Sequence, residues 1–259
     1  MAAVELERRG AAAWLWLNRP EVRNALNGEV QDLLSRELQK MEKDSSVRVI
    51  VLAGRGQAFS AGGDLNRMEN AAKMTKARNQ KEAGRFAALL HRMYQCPKPL
   101  IARVHGPAFA GGMGLVAACD LVVAAEEAEF CLPEVRIGLV PVMISPYIAR
   151  ALGEPQTRRY MLTGERLSAP EARRLGFVHE CVPAAELDAA VEKIVGALAK
   201  AGPQALARAK RLLARIAAAP IGPKLAAETA ALLADVRAGP EAREGIRSFL
   251  EKRRPGWNG

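Results

Sequence analysis

Two short stretches of the chain expose backbone in places where a ligand oxygen could use it. "AFSAGGDL", at 58–65, carries Gly62 and Gly63 just beyond an apolar run, and "AFAGGMGLVAACD", at 108–120, carries Gly111, Gly112 and Gly114 ahead of a second apolar run. A buried helix is expected to begin at Gly111. The first N–H groups of a helix have no intrahelical partner, and with the macrodipole they favour negative charge nearby. Glycine lets an oxygen atom reach them. Two peptide N–H donors that leave separate strands and converge on one point are the ingredients of an oxyanion hole, which stabilises charge developing on a carbonyl oxygen. Either turn alone serves tight packing equally well, so the chemistry rests on the pair.

The elements that must position these turns can be read along the chain. "AAWLWLNRP" reads as a strand ending at Pro20. Val30, Leu33, Leu34, Leu38 and Met41 recur at helical spacing after Asn27, a suitable N-cap. "VRVIVLAG" is a short apolar run closed by Gly54, and "PLIARVHG" repeats the form at 99–106. Short apolar runs with glycine exits, separated by helical segments, predict parallel strands covered on both faces. "SAPEARRLG" then has Ser168 as N-cap, Pro170 in the first turn and Gly176 as the stop, and the run "FVHECVP" follows. Beyond it the chain reads as helix, with breaks at Gly202-Pro203, Pro220 to Pro223 and Gly239-Pro240. The expected organisation is an α/β core over 1–200 and a lobe of about three helices over 201–259 that packs on the core or on a neighbouring subunit.

Composition bounds the rest. A chain of 259 residues with 49% hydrophobic content can bury one enzyme-sized core. No apolar window approaches the ~18–20 residues that a membrane span needs, and "MAAVELERRG" is charged where a signal peptide is apolar, so a cytoplasmic protein with no membrane partner is expected. Cys96, Cys119, Cys131 and Cys181 are widely spaced without a CxxC pair, which reads as free, buried thiols with neither a disulfide framework nor a metal site. The net charge of +10 comes in large part from arginines scattered through Ala-rich helical segments such as "ALARAKRLLARIAAA". That spacing favours a solvated face over a nucleic-acid patch.

The two glycine turns, with "AEFCLPEVRIGLVP" after them, resemble the enoyl-CoA hydratase/isomerase (crotonase) family. The resemblance runs from "LNRPEVRNALN" through "VIVLAGRGQAFSAGGDL", "KPLIARVHGPAFAGGMGLVAACDLVVAAEEAEFCLPEVRIGLVP" and "LTGERLSAPEARRLGFVHECVP" to "EGIRSFLEKRRPGW", nearly the whole chain. It implies a crotonase-like ββα superhelix with a C-terminal helical lobe. It further implies a substrate that is an acyl-coenzyme A thioester, with coenzyme A part of the substrate and no separate cofactor, and a homotrimer often paired into a hexamer. By the same resemblance Gly63 and Gly111 are the oxyanion donors and Glu134 is the catalytic carboxylate. Pro133, Leu132, Val135 and Ile137 around Glu134 would favour its neutral form; a surface ion pair with Arg136 is the plainer alternative. Arg23, Ala25 and Leu26 fall beside the pantetheine and adenine, Ala61, Gly62, Asp64 and Leu65 in the same pocket, and Ala110 and Gly112 where the thioester approaches. Phe249 and Lys252 come from a neighbouring subunit, unless Phe249 is a core anchor of the last helix.

One position departs from the pattern. Family hydratases commonly carry a second glutamate where this chain has Gly114. Hydration needs water at Cβ and a proton at Cα, which two carboxylates can share; double-bond isomerisation needs a single base. Gly114 is also expected to leave room for a branched or bulky acyl chain, since a helical glycine otherwise costs ~1 kcal/mol against alanine. "PVMISPYI" is similar to a bacterial branch associated with methylglutaconyl-CoA hydratases. The expectation is a hydratase acting on a short or branched 2-enoyl-CoA, with an isomerase as the alternative.

Two rivals are weaker. A Ser-His-Asp hydrolase would use Ser60, but His91, His105 and His179 sit in no matching segment. An RNA-binding role would use a basic helix over 67–85 with Lys73, Lys76, Arg78 and Lys81, whose interspersed acids favour a solvated face.

Overall fold

A computed structural model describes residues 2–64 and 73–258. Its main sheet has six strands in the order β1-β2-β3-β4-β6-β9. β1 (Val4–Arg9) and β2 (Ala12–Leu17) are an antiparallel hairpin, and β3 (Val49–Gly54), β4 (Leu100–Val104), β6 (Leu121–Ala125) and β9 (Glu180–Val182) continue from β2 in parallel. β3 and β4 are the parallel strands that the glycine exits predict, whereas β6 was not among the expected strands. β1 was not among the expected strands. Its charged residues alternate with Val4 and Leu6, and Gly10 at φ +53° turns it onto β2.

Every residue of β2 and β3 is buried, because helices lie on both faces of the sheet. Leu15, Leu17, Ile50, Leu52, Leu100 and Ala102 point into the larger core, against α1 (Gly28–Lys43) and α2 (Lys76–Gln95). Trp14, Trp16, Val49, Val51 and Ile101 point the other way, onto Leu187, Val191 and Val195 of α6 (Leu187–Lys200). Asn27 caps α1 by accepting from the Val30 N–H at 2.9 Å.

A second, three-stranded sheet, β5-β7-β8, joins β5 (Ala108–Phe109), β7 (Glu129–Cys131) and β8 (Arg166–Ser168). It carries the chain from β4 into α3 (Gly111–Ala117) and holds the turn around Glu134, Pro133–Ile137, beside it. α4 (Ser145–Thr163) follows, kinked at Gly153 with φ +74° and Pro155 behind it. Ser168 caps α5 (Ala169–Arg174), and Gly176 stops the segment at φ +83°, as expected.

The last helices are α7 (Pro203–Ile216), α8 (Pro223–Ala238) and α9 (Pro240–Leu250), starting where the Gly-Pro breaks predict. Neither α7 nor α8 contains a buried residue, and α9 contains only Ser248. Among the described residues no helix is long and apolar enough to cross a membrane. All four cysteines are free; Cys96 and Cys131 are buried and Cys119 and Cys181 half-buried, so the expectation of four buried thiols holds for two.

Candidate active site

Three loops meet through backbone bonds. The Leu26 N–H donates to Gly62 O at 2.7 Å and the Ala61 N–H to Arg23 O at 2.9 Å, which fastens the 23–26 segment to the first glycine turn. The Ser60 N–H donates to Pro107 O at 3.1 Å and the Phe109 N–H to Ser60 O at 2.9 Å, which fastens that turn to the second. Asn24 sits at the centre, buried, in the left-handed region at φ +55° that Asn tolerates better than most residues. Its amide donates to Arg55 O and Ala58 O at 2.8 Å each and accepts from the Arg19 N–H at 2.8 Å. Arg19 Nη1 donates to Ala25 O at 2.8 Å and pairs with Asp64 at 3.3 Å.

At two of the glycines no side chain fits. A Cβ on Gly112 would lie 2.5 Å from Ser60 O, and one on Gly62, whose φ is +93°, 2.7 Å from the Ala110 Cβ. Ala110 is itself at φ +49°, so the chain turns sharply just before α3 and leaves Gly111 at the first helical position. Neither the Gly63 nor the Gly111 N–H donates to any protein acceptor among the described residues.

Both glycines line one cavity of about 260 Å³. Leu26, Asp64 and Glu134 line it too, with Gln31, Phe86, Ala110 and the run from Leu139 to Ile144. Glu134 rises from the short helical turn after Pro133, and its backbone oxygen accepts from the Leu139 N–H at 3.0 Å. Its Oε2 is sealed from solvent and has no hydrogen-bond partner among the described residues. Burial pushes its carboxyl above the usual carboxylate range, against a smaller opposing effect from its own backbone N–H. The alternative of a surface pair with Arg136 is not realised: Arg136 lies instead against Gly164, its Nε 3.0 Å from where a Cβ would stand.

Of the residues singled out from the sequence, Leu26, Gly63, Asp64, Ala110, Gly111 and Glu134 reach the cavity wall, while Arg23, Ala25, Ala61, Gly62 and Gly112 build the loops behind it. Leu65 lies outside the described residues, as does part of the basic segment at 67–85, whose described helix starts at Lys76 under a Thr75 cap. Phe249 is 82% exposed, which removes the reading of it as a core anchor, and neither it nor Lys252 lines the cavity of its own chain. Gly114 requires a correction. It does not open the cavity to a larger acyl chain, because a Cβ there would lie 2.1 Å from Ile144 Cγ2. Ile144 already fills that space.

Asn24, Arg19, Phe86 and Ile144 were missed as contributors. Only Asn24 carried a sequence signal, being a residue that accepts positive φ within "RNAL". Ser60 is committed elsewhere: its hydroxyl donates to Asn24 O at 2.9 Å and accepts from the Gly62 N–H, so it is no free nucleophile. His105 Nε2 is bonded to Gly56 O and His179 Nδ1 accepts from the Val122 N–H. A larger cavity of about 910 Å³ lies between α7 and the core. Among its polar residues Asp120 is paired with Lys210 and Tyr94 with Arg150.

A sequence model of the enoyl-CoA hydratase/isomerase family matches residues 7–259. The chain belongs to this family. The crystal structure of an enoyl-CoA hydratase from Shewanella pealeana ATCC 700345 superposes with a TM-score of 0.95 at 36% identity, over 98% of this chain and 96% of that one. Pseudomonas aeruginosa AtuE does so with a TM-score of 0.94 at 34% identity, over 99% and 100%. A 2,3-dehydroadipyl-CoA hydratase of Escherichia coli (strain K12) is 34% identical over 264 residues, the full length of both chains. The architecture is thus the crotonase fold, and an acyl-CoA thioester substrate is consistent with the family.

Proposed function

We propose that this family member is a hydratase that adds water across the double bond of a short or branched 2-enoyl-CoA, with Glu134 carrying the proton and the Gly63 and Gly111 N–H groups holding the thioester oxygen. One observation carries the reading: two unspent peptide N–H groups and a buried, unpartnered carboxyl oxygen share one apolar cavity. Charge on the thioester oxygen grows only towards the enolate-like transition state, so donors already in place lower the barrier differentially. By precedent in other holes, one such donor contributes roughly 3 kcal/mol. A carboxyl whose proton affinity is raised by burial is better matched to proton transfer near neutral pH than an ordinary glutamate.

In the same reading Arg23, Ala25, Leu26 and the 61–65 loop lie along the coenzyme A moiety. Phe249 and Lys252 reach the site of a neighbouring copy in a trimer or hexamer, and the setting is cytoplasmic. The exposure of Phe249 and Leu250, and the lack of buried side chains in α7 and α8, support a partner for the lobe. Isomerisation of a 3-enoyl-CoA is the second reading, favoured by the hydrocarbon of Ile144 where family hydratases commonly bring a second carboxylate. Removal of a proton at C2 and its return at C4 needs one base only.

The experiment supplies 2-enoyl- and 3-enoyl-CoA thioesters and follows the products by mass and ultraviolet absorbance. Rapid gain of water by the 2-enoyl form is expected. Conversion of the 3-enoyl form to the 2-enoyl form without hydration would replace the first reading by the second.

A further inference from the structure

The acyl pocket is closed by a residue more than two turns of chain away from any of the reacting groups in sequence. Gly111 and Gly114 are three apart in α3 and so face the same side of it, yet Gly111 lines the cavity and Gly114 does not. Ile144 accounts for the difference. It is almost fully buried, it caps the start of α4, and it lines the cavity beside Glu134. A Cβ built on Gly114 would lie 2.1 Å from Ile144 Cγ2 and 2.8 Å from its Cβ. No rotamer of Ile144 relieves the second contact, because it involves the side chain's own root.

We propose that Ile144 determines acyl specificity, and that Gly114 is the notch that lets α4 seat it there. The wall that limits the substrate is therefore set from α4, and position 114 is closed to every side chain while Ile144 is in place. A larger residue at 114 alone makes the site worse before it can add any chemistry. A smaller residue at 144 enlarges the space next to Glu134. The proposal rests on the acyl-CoA reading above, and its test separates the two.

The probes are saturated acyl-CoA thioesters, which bind without reacting: acetyl-, butanoyl-, 3-methylbutanoyl- and octanoyl-CoA, measured by calorimetry with the wild type, Ile144→Val and Ile144→Ala. The affinity ratio of the bulkier to the smaller thioesters is expected to rise stepwise, by about tenfold or more for Ile144→Ala, the scale at which apolar pockets discriminate single methylenes. An unchanged ratio overturns the proposal while leaving the acyl-CoA reading intact. Failure of the wild type to bind any of the four overturns both. In the same proteins without ligand, Gly114→Ala should lower Tm by roughly 3–10 °C, as overpacking does in a chain of this size. Because Ile144→Ala lowers stability by itself, the comparison is made in that background, where adding Gly114→Ala should cost less than half of what it costs in the wild type, part of the cost remaining because the 2.8 Å contact survives. A Gly114→Ala protein as stable as the wild type would overturn the notch.

Discussion

Behind the cavity wall at the start of α3 the packing is tight: Cβ atoms on Gly62, Gly112 and Gly114 would each fall within 3 Å of a neighbour. Along α7 and α8 the opposite holds, and no side chain is buried at all. The two regions are also joined by different forces. The cavity wall is held by apolar packing and by backbone-directed bonds from Asn24 and Ser60. The helical lobe is held by charge. Lys210 reaches from α7 to Asp120, Arg215 pairs with Glu228 across α7 and α8, and Glu241 of α9 accepts from the Gln204 and Ala205 N–H groups at the start of α7. A wall that must fix atoms to fractions of an ångström uses short-range repulsion; a lobe with no core of its own uses interactions that are weak in water.

Experiments can break that contrast, beginning at the cavity. Glu134→Gln should lose about 10²–10⁴-fold in turnover, the usual weight of a general acid or base. Unlike most changes at a buried site, it should not destabilise the protein at neutral pH. The folded state raises the carboxyl pKa, so the ionised form costs stability above the folded pKa and nothing below the unfolded value, near 4.5. The stability advantage of the glutamine variant should therefore be largest at pH 7 and shrink as pH falls towards 4.5, read as the difference between two Tm-against-pH curves. Next in size, Gly112→Ala should cost about 1–3 kcal/mol in denaturant unfolding, because the opposing atom, Ser60 O, is backbone and yields poorly.

Changes in the lobe should register differently, and at its exposed pairs less. Lys210→Met leaves Asp120, whose carboxyl burial already pushes upward, with the Leu100 N–H alone among the described residues, at a cost of about 1–3 kcal/mol. Phe249→Asp should leave unfolding of the isolated chain unchanged and weaken self-association by about tenfold or more, followed by sedimentation as a function of concentration. An unchanged sedimentation profile would mean that the apolar end of α9 packs on nothing. Arg215→Ala should cost no more than about 0.5 kcal/mol despite its bidentate geometry, since both partners are solvent-exposed. A larger cost would show that the lobe has a stiffness its packing does not supply.

What could be read from the sequence follows the same division. β3 and β4, buried on both faces, announce themselves as apolar runs followed by glycine, and helix caps such as Asn27 and Ser168 are local, so these are legible; β6, which follows the apolar run of α3 without a glycine exit, is not. β1 was not, because an edge strand needs burial on one side only and its charges masked the alternation. In the site, Gly63, Gly111 and Glu134 could be picked out by resemblance, and the cavity brings them together. The role of Gly114 is not legible in the sequence for a physical reason: an absent side chain makes space only if nothing else enters it, and Ile144 lies 30 residues further on, at the N-cap of α4. Arg19 was overlooked for the same reason, as its value lies in contacts with Ala25 and Asp64 that no spacing reveals.

Asn24 has one more consequence, for timing. Its three side-chain bonds and the Ser60 bond to its carbonyl tie together the loops that carry Leu26, Gly62 and Gly63. Such a knot opens as a whole or not at all, so the Leu26 and Ala61 amides should exchange with solvent deuterium slowly and together, as one cooperative unit. The backbone of Leu26, Gly62 and Gly63 is then fixed before any ligand arrives, and binding pays no entropy to order it.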